Sequence, residues 1–403
     1  MDRDAIFQVT LKRFLEPVGE YLDDDRVSEI MINGVDEIYI ERHGMIEKTD
    51  ACFEDDDKLL AAARNIAQYT NKRITPLTTR FDSRLPDGSR VHVVMPRCSR
   101  KGLCISIRKF RRANFSLEDL VKTELLTPEA KEYIEIVALE RNLLVSGGTG
   151  SGKTTLLNSI SGKIPETERV IVIEDSSELQ LQQPHVLSFE TAWPDRHGQG
   201  MVGIRDLFHS ALRMRPDRII IGECRGGEAL DLIQAMTSGH GGSMSTLHAN
   251  TPLDALNRLE TMALMSAVNI PLIALRSQIV SAIDVIIQVS RLNDGRRMVT
   301  EICEVGALST ENRYQVNQIF GCVESGSDDA KNTTAKLSWS GRQSVFGDRL
   351  KLLGGATRAE LTRKIFFPAS QMPPNAKAQP RFCHSAAEAE SPAPAPCCAS
   401  DGS

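Results

Sequence analysis

The run Gly147-Gly148-Thr149-Gly150-Ser151-Gly152-Lys153-Thr154 has the spacing G-x-x-x-x-G-K-[ST], and residues in that order can wrap a chain of phosphates. Glycines let the backbone turn tightly enough to aim successive N–H groups at phosphate oxygens. A helix beginning at the end of the loop adds partial positive charge. Lys153 is placed to reach the β- and γ-phosphates, and the Thr154 hydroxyl to ligate Mg²⁺. The flanks suit this chemistry: an apolar, strand-like stretch from Asn142 to Ser146 precedes the loop, and a helix-compatible stretch from Thr154 to Asn158 follows it. The expectation is a site for a nucleoside triphosphate.

Hydrolysis needs more than a phosphate cradle. A carboxylate must orient or deprotonate the attacking water, and cations must stabilise charge on the transferring phosphoryl group. Arg218 to Arg225 provides the first: an apolar strand delivers Glu223 to its C-terminal end, the edge where the phosphate loop also lies. An aspartate would ordinarily end such a strand, and Gly222 stands in its place. A second acidic group, Glu174-Asp175 with Glu178 after it, ends the preceding strand and could hold Mg²⁺ or its waters. A third element runs from Ser238 to Asn250. His240 sits there among glycines, and His248 follows beyond a short strand. The two histidines are too far apart for a one-face metal pair, and no cysteine or carboxylate spacing completes a zinc site. Contact with phosphate, or transmission of nucleotide state to a neighbour, is the better use for them.

These residues need a sheet to carry them. Continuous apolar runs at 142–146, 169–174, 218–222, 243–248 and 283–289 read as parallel strands covered on both faces, separated by helices. The result is an α/β domain with its ligand at the strand ends. Upstream, residues 1–25 read as helical and then acidic. Short strands follow around the Asn33-Gly34 and His43-Gly44 turns, then a helix over 57–69 and strands at 89–95 and 103–110. This makes a separate α+β unit over residues 1–110. Residues 111–138 read as a polar linker, starting at Arg111 to Asn114, and helices opened by Ser116 and by Thr127-Pro128. The α/β domain spans 139–366. Its signal weakens beyond Leu308, and Glu324 to Lys336 reads as a polar, flexible insertion. Residues 367–403, rich in Pro, Ala and Ser, cannot bury enough apolar area to order themselves.

Composition narrows the function further. Among 403 residues the formal net charge is −5, which argues against wholesale nucleic-acid binding. The nine cysteines are scattered without a C-x-x-C pair, as expected of free thiols in a reducing compartment. No signal peptide or uninterrupted apolar span is visible, so a cytoplasmic location is expected. A nucleic-acid motor shares the nucleotide chemistry and is the alternative class. A nucleotide-regulated binding module without turnover is a third, opposed by the presence of Lys153, Thr154 and Glu223 together.

Taken in order, the motifs resemble the secretion ATPases of type II and type IV systems, close to those driving tight-adherence (Tad/Cpa-type) pili. Val145 to Thr155 is similar to their Walker A loop and Ile173 to Leu179 to their Asp box. Met214 to Gly226 is similar to their atypical Walker B, in which Gly222 is a family trait, and Ser238 to Asn250 to their His box. The resemblance covers residues 20–305. It implies a RecA-like P-loop ATPase domain with a smaller, PAS-like N-terminal domain, and ATP with Mg²⁺ as ligands. Gly147, Gly148, Thr149, Gly150, Ser151, Gly152, Lys153, Thr154 and Thr155, with His240 and His248, would hold the nucleotide. Glu223 would be the catalytic carboxylate and Glu174 its helper; Thr154, Glu174 and Glu223 would hold Mg²⁺, partly through water. Phe81 to Val91 and Ser106 to Phe110 match stretches that supply arginines to the nucleotide, which points to Arg84 and Arg108, with Arg90 between them. The implied assembly is a homo-hexameric ring docked peripherally on an inner-membrane platform protein, with no direct nucleic-acid partner.

Overall fold

Period-two and continuous apolar runs sort into two separate sheets in the computed structural model, which describes residues 3–42, 44–70, 72–110, 115–192, 199–292, 295–325, 334–352 and 358–367. In the N-terminal unit α1 (Arg3–Phe14) and α2 (Gly19–Asp23) precede β1 (Val27–Asn33), β2 (Ile38–Arg42) and β3 (Met45–Lys48). Helix α3 (Asp56–Tyr69) then leads to β4 (Arg80–Arg84), β5 (Arg90–Val94) and β6 (Cys104–Arg108). The six strands pair antiparallel in the order β3-β2-β1-β6-β5-β4. Side chains alternate across a strand, so Ile30, Ile32, Ile38, Ile40, Val91, Val93, Ile105 and Ile107 fall on one face. There they join Leu59, Ala63 and Ile66 of α3 in one core. Helix α3 starts where it does because the Asp55 carboxylate accepts the Lys58 N–H at 2.7 Å.

The other face of this sheet is polar, and its register matters. Arg84 lies opposite Arg90, and Arg90 opposite Arg108, which forms one arginine row across β4, β5 and β6. Like charges directly opposite one another are unfavourable. The row therefore calls for anionic groups from outside the sheet.

The second unit starts with α4 (Leu117–Lys122) and α5 (Pro128–Val137), followed by β7 (Leu143–Gly147), α6 (Lys153–Ser161), β8 (Val170–Glu174) and β9 (Val186–Glu190). Then come α7 (Ile204–Ala211), β10 (Arg218–Ile221), α8 (Glu228–Thr237), β11 (Met244–Leu247), α9 (Pro252–Leu264), α10 (Leu272–Ala282) and β12 (Val285–Arg291). β13 (Arg297–Val305), β14 (Val316–Ser325), β15 (Thr334–Trp339), α11 (Gly347–Leu352) and α12 (Arg363–Phe366) complete it. The sheet order is β15-β14-β13-β12-β7-β11-β10-β8-β9. The strands from β12 to β9 are parallel, and β13 to β15 extend the sheet antiparallel.

Every residue of β7, β8, β10 and β11 is buried, as helices on both faces require. One face packs Leu143, Val145 and Val172 with Tyr133, Leu156 and Ile160; the other packs Leu144, Ile173 and Ile221 with Phe208, Leu232 and Leu256. Burying an aliphatic or aromatic side chain of this kind is worth about 1.5–3 kcal/mol. Helices α4 and α5 contribute Leu117, Leu120 and Ile134 to the first of these cores. Their starts are those read from the sequence: a capping box between Ser116 and Asp119, and Thr127 capping a helix with Pro128 at its first turn.

Several features depart from the expectation, among them the strands β13 and β14 beyond residue 289. β4 and β9 were not anticipated, because neither carries a continuous apolar run. The segment 324–336, expected to be a flexible insertion, begins and ends in paired strand: Ser325 lies opposite Thr334 and Phe320 opposite Trp339, with residues 326–333 outside those described. Polar residues suit an edge hairpin as well as a loop, which is why composition misled there. The linker start 111–114 and the tail beyond 367 also lie outside the described residues. Among the described residues no helix is long and apolar enough to cross a membrane.

At the N-terminal edge of the sheet Arg218 is 1% exposed. It pairs with Glu168 and donates to the carbonyls of Ala138 (2.6 Å), Leu139 (2.5 Å) and Gly242 (3.1 Å). Gly242 has φ +82°, and a Cβ there would overlap the guanidinium. Arg218→Met, which removes the donor from these carbonyls and from Glu168, is expected to lower the unfolding free energy by about 3 kcal/mol. The urea midpoint checks this; an unchanged midpoint would show that the network adds no net stability.

Candidate active site

The parallel topology brings the ends of β7, β8, β10 and β11 to one edge, and the chemistry collects there. After Gly147 the chain turns through residues 148–152 into α6. Gly150 and Gly152 take φ of +68° and +100°, which side chains rarely adopt. Gly152 is the N-cap of α6 and has no side chain with which to cap it. The first-turn N–H groups are thus open to an anion. Gly147 is glycine for another reason: a Cβ would press on the Val289 carbonyl and on Ser151 Oγ. Gly148, Thr149 and Gly150 are exposed, while Ser151 is buried with its Oγ free of any hydrogen bond. Thr154 and Thr155 are half-buried in the first turn of α6. This cradle fits a polyphosphate.

Lys153 is 7% exposed. Its Nζ donates to the carbonyls of Gly147 (3.1 Å) and Gly148 (2.9 Å) and lies 3.3 Å from His248 Nδ1. Burial, opposed by the carboxylates of Glu223 and Glu178, holds the ammonium below its ordinary value. Burial and the Lys153 charge likewise lower His248. An ammonium only donates, so Nδ1 is the acceptor and the ring proton sits on Nε2. That nitrogen lies 2.8 Å from Glu223 Oε1. The pair is not aligned as a hydrogen bond, and Oε1 is left as a buried acceptor. The other oxygen, Oε2, takes two N–H groups from Arg225 at 2.8 and 2.5 Å, and Arg225 also lies 3.5 Å from Asp175. Burial raises the Asp175 carboxyl.

The structure explains Gly222. β8 and β10 are parallel neighbours with Ile173 opposite Ile221, so Glu174 and Gly222 end them side by side. A Cβ at position 222 would stand 2.8 Å from Glu174 Cγ and 3.1 Å from its Oε1. The space an aspartate would need is occupied by a carboxylate from the next strand. Glu174 is 4% exposed, and its Oε1 accepts the N–H groups of Glu178 (2.9 Å) and Leu179 (3.1 Å). Burial pushes its carboxyl up to about 7 even though those two bonds favour the ionised form.

Arginines of the N-terminal sheet cross to the loop that follows Glu174. Arg90 Nη2 lies 2.8 Å from Glu178 and donates to the Ser176 carbonyl at 2.8 Å. Arg84 Nη2 lies 2.6 Å from Glu190 and also bonds the Ser176 hydroxyl. Arg90, Thr154, Glu174, Glu223 and Arg225 line a single cleft. Arg108 is exposed at the end of β6, and its charge adds to the lowering of Lys153.

One expected site residue does not join them. His240 precedes β11, and its neighbourhood is the N-terminal edge of the sheet, where the Ser243 N–H bonds Asn142. The four residues of β11 put about 13 Å of strand between His240 and the phosphate-loop edge. In this chain His248, not His240, reaches the phosphate-loop edge, beside Lys153 and Glu223. Arg225, Glu190 and Gln288 were not singled out from the sequence. Gln288 did carry a signal: it is a polar residue inside the apolar run Val285 to Val289.

The family described as type II/IV secretion system protein matches residues 13–342. The chain is 31% identical over 330 residues to a putative conjugal transfer protein of Mycobacterium tuberculosis (strain ATCC 25618 / H37Rv), covering 80% of this chain and 92% of that protein. It is 33% identical over 328 residues to the type IV secretion system protein VirB11 of Bartonella quintana (strain Toulouse), covering 72% and 91%. The Legionella pneumophila ATPase DotB shares the fold, with TM-score 0.51, 23% identity and coverage of 73% of this chain and 80% of that one.

Gly222→Ala tests the packing of the two strand ends. Displacing Glu174 is expected to lower ATP turnover at least about tenfold while nucleotide affinity stays within about threefold. Turnover and fluorescent-nucleotide binding on the same preparation check this, and wild-type turnover would show that Glu174 tolerates the methyl group.

Proposed function

The chain belongs to the type II/IV secretion system protein family and is an ATP hydrolase, and we propose that it is a ring-forming motor powering pilus assembly or protein secretion. The observation that carries this reading is that Thr154, Glu174 and Glu223 line one cleft together with Arg90 of the N-terminal unit, with His248 standing between Lys153 and Glu223. Thr154 and Glu174, with Glu223 partly through water, would hold Mg²⁺, which supplies positive charge at the β- and γ-phosphates. The Nζ donors of Lys153 that now face Gly147 and Gly148 are the ones a phosphate would take. Glu223 Oε1, buried and without an aligned donor, is the acceptor for the proton of the attacking water. Arg84, Arg90 and Arg108 provide the cationic charge that the phosphate loop does not supply alone.

The N-terminal unit (1–110) and the ATPase domain (139–366) would be the bodies that hydrolysis moves against each other, since the arginines that meet the site belong to one and the phosphate loop to the other. The proposed assembly is a homo-hexamer on the cytoplasmic side of an inner-membrane platform protein, peripheral to the membrane through that partner. The stretch Phe81 to Val91 favours a tight-adherence pilus among the machines such motors drive. The net charge of −5 favours a protein partner over nucleic acid.

Specific ATPase activity measured against protein concentration, with sedimentation at the same concentrations, tests the ring. Activity per subunit is expected to rise and saturate as the hexamer forms, and DNA is expected to leave it unchanged. A sedimenting monomer with full activity would overturn the ring. Turnover that DNA stimulates, with a steep salt dependence, would instead favour a conjugation motor.

A further inference from the structure

Gln288 lies in β12, 2% exposed among apolar neighbours. A buried amide is costly unless its donors and acceptor are bonded, and this one is fully used. Register sets Gln288 beside Ser146, the residue before Gly147. The Ser146 hydroxyl donates to Gln288 Oε1. Gln288 Nε2 donates to the carbonyls of Ala249 and Asn250, both at 3.1 Å. Carbonyl oxygens only accept, so the partners themselves fix which end of the amide faces which way. Those partners belong to two different parts of the site. Ser146 is the stem of the phosphate loop, and Ala249 and Asn250 immediately follow His248. Next to Gln288, the Val289 carbonyl sits where a Cβ on Gly147 would go, so the backbone of β12 abuts the base of the same loop. His248 in turn stands between Lys153 Nζ at 3.3 Å and Glu223 Oε1 at 2.8 Å.

We infer that Gln288 is a positioning residue for hydrolysis: its amide ties the stem of the phosphate loop to the chain that carries His248 and so sets His248 between Lys153 and Glu223. The hydrogen bonds of Gln288 go to Ser146, Ala249 and Asn250, not to these three side chains. The inference rests on the role given above to Glu223 and on the place of His248 between it and Lys153. Its chemistry is specific to an amide. Methionine fills the same length but leaves Ser146 Oγ and two carbonyls without their partner. Glutamate would aim a second acceptor at carbonyls that need a donor.

The test is a double-mutant cycle on the full chain, with ATP as substrate. Gln288→Met and, separately, Ser146→Ala are each made in the wild-type and His248→Ala backgrounds, and kcat, KM and thermal midpoint are read for all six proteins. Gln288→Met is expected to lower kcat about tenfold with KM changed less than about twofold. In the His248→Ala background the same change is expected to alter kcat less than about twofold, because the residue it positions is gone. Ser146→Ala, which loosens only the phosphate-loop end of the tie, is expected to act in the same direction and also to lose its effect without His248.

An equal loss in both backgrounds overturns the inference and reduces Gln288 to support of the fold. If Gln288→Met does not fold, the Ser146→Ala cycle decides by the same criterion. Wild-type kcat for His248→Ala would remove the role of His248 itself, and this inference with it. An impaired His248→Ala with additive losses removes this inference alone.

Discussion

The site depends on two parallel strands ending side by side with room for only one carboxylate between them. Ile173 and Ile221 are in register, so the next residue of each strand competes for the same space above the sheet edge. Glu174 occupies it, and Gly222 yields it. The carboxylate of the neighbouring strand then stands where an aspartate of β10 would otherwise be, and Glu223 is moved one residue along, toward His248 and Arg225. A substitution that looks like the loss of an acidic residue is an exchange of its source. The rest of the edge follows from parallel topology, which carries the phosphate loop, Glu174, Glu223 and His248 to the same side of the sheet.

The N-terminal sheet has a complementary constraint. Its register places Arg84, Arg90 and Arg108 side by side, an arrangement of like charges that disfavours itself. The ATPase unit answers with Glu178, Glu190 and the polar groups of Ser176. These side chains are only partly buried, so the ion pairs are worth little as stability. Their consequence is placement: they hold arginine charge beside the cleft lined by Thr154 and Glu174. Contacts that cost little to break and bring charge to a nucleotide site suit a joint between moving bodies better than a fixed interface.

Much of this was legible in the sequence because each signal had a local physical cause. The phosphate loop is read from glycines whose φ values only glycine takes freely, and the buried strands from unbroken runs such as Val170 to Ile173. The caps of α4 and α5 are read from Ser116 and Thr127 at the right offset from their helices. The acidic strand ends at Glu174 and Glu223 were visible as well. What escaped was what depends on pairing between distant segments. The reason for Gly222 lies in Glu174, 48 residues earlier, and no local pattern states it. β9 and β15 are edge strands, and β14 is a partly polar strand beside β15; their partners define them. His240 and His248 flank one short strand, and that strand puts the two on opposite edges of the sheet. Gln288 stood in plain view as a polar residue in an apolar strand, but only the fold shows which groups it ties together.

The account turns on Glu223 Oε1 as the acceptor for the proton of the attacking water. Single-turnover cleavage of ATP by Glu223→Gln, set beside its equilibrium affinity for ATP, tests that most directly. An amide keeps the shape and the contact with His248 but is a far weaker base. The variant is therefore predicted to bind ATP within about threefold of wild type and to cleave it at least about 10²-fold more slowly. Cleavage at the wild-type rate with unchanged affinity would contradict the assignment and move the proton acceptor elsewhere in the cleft.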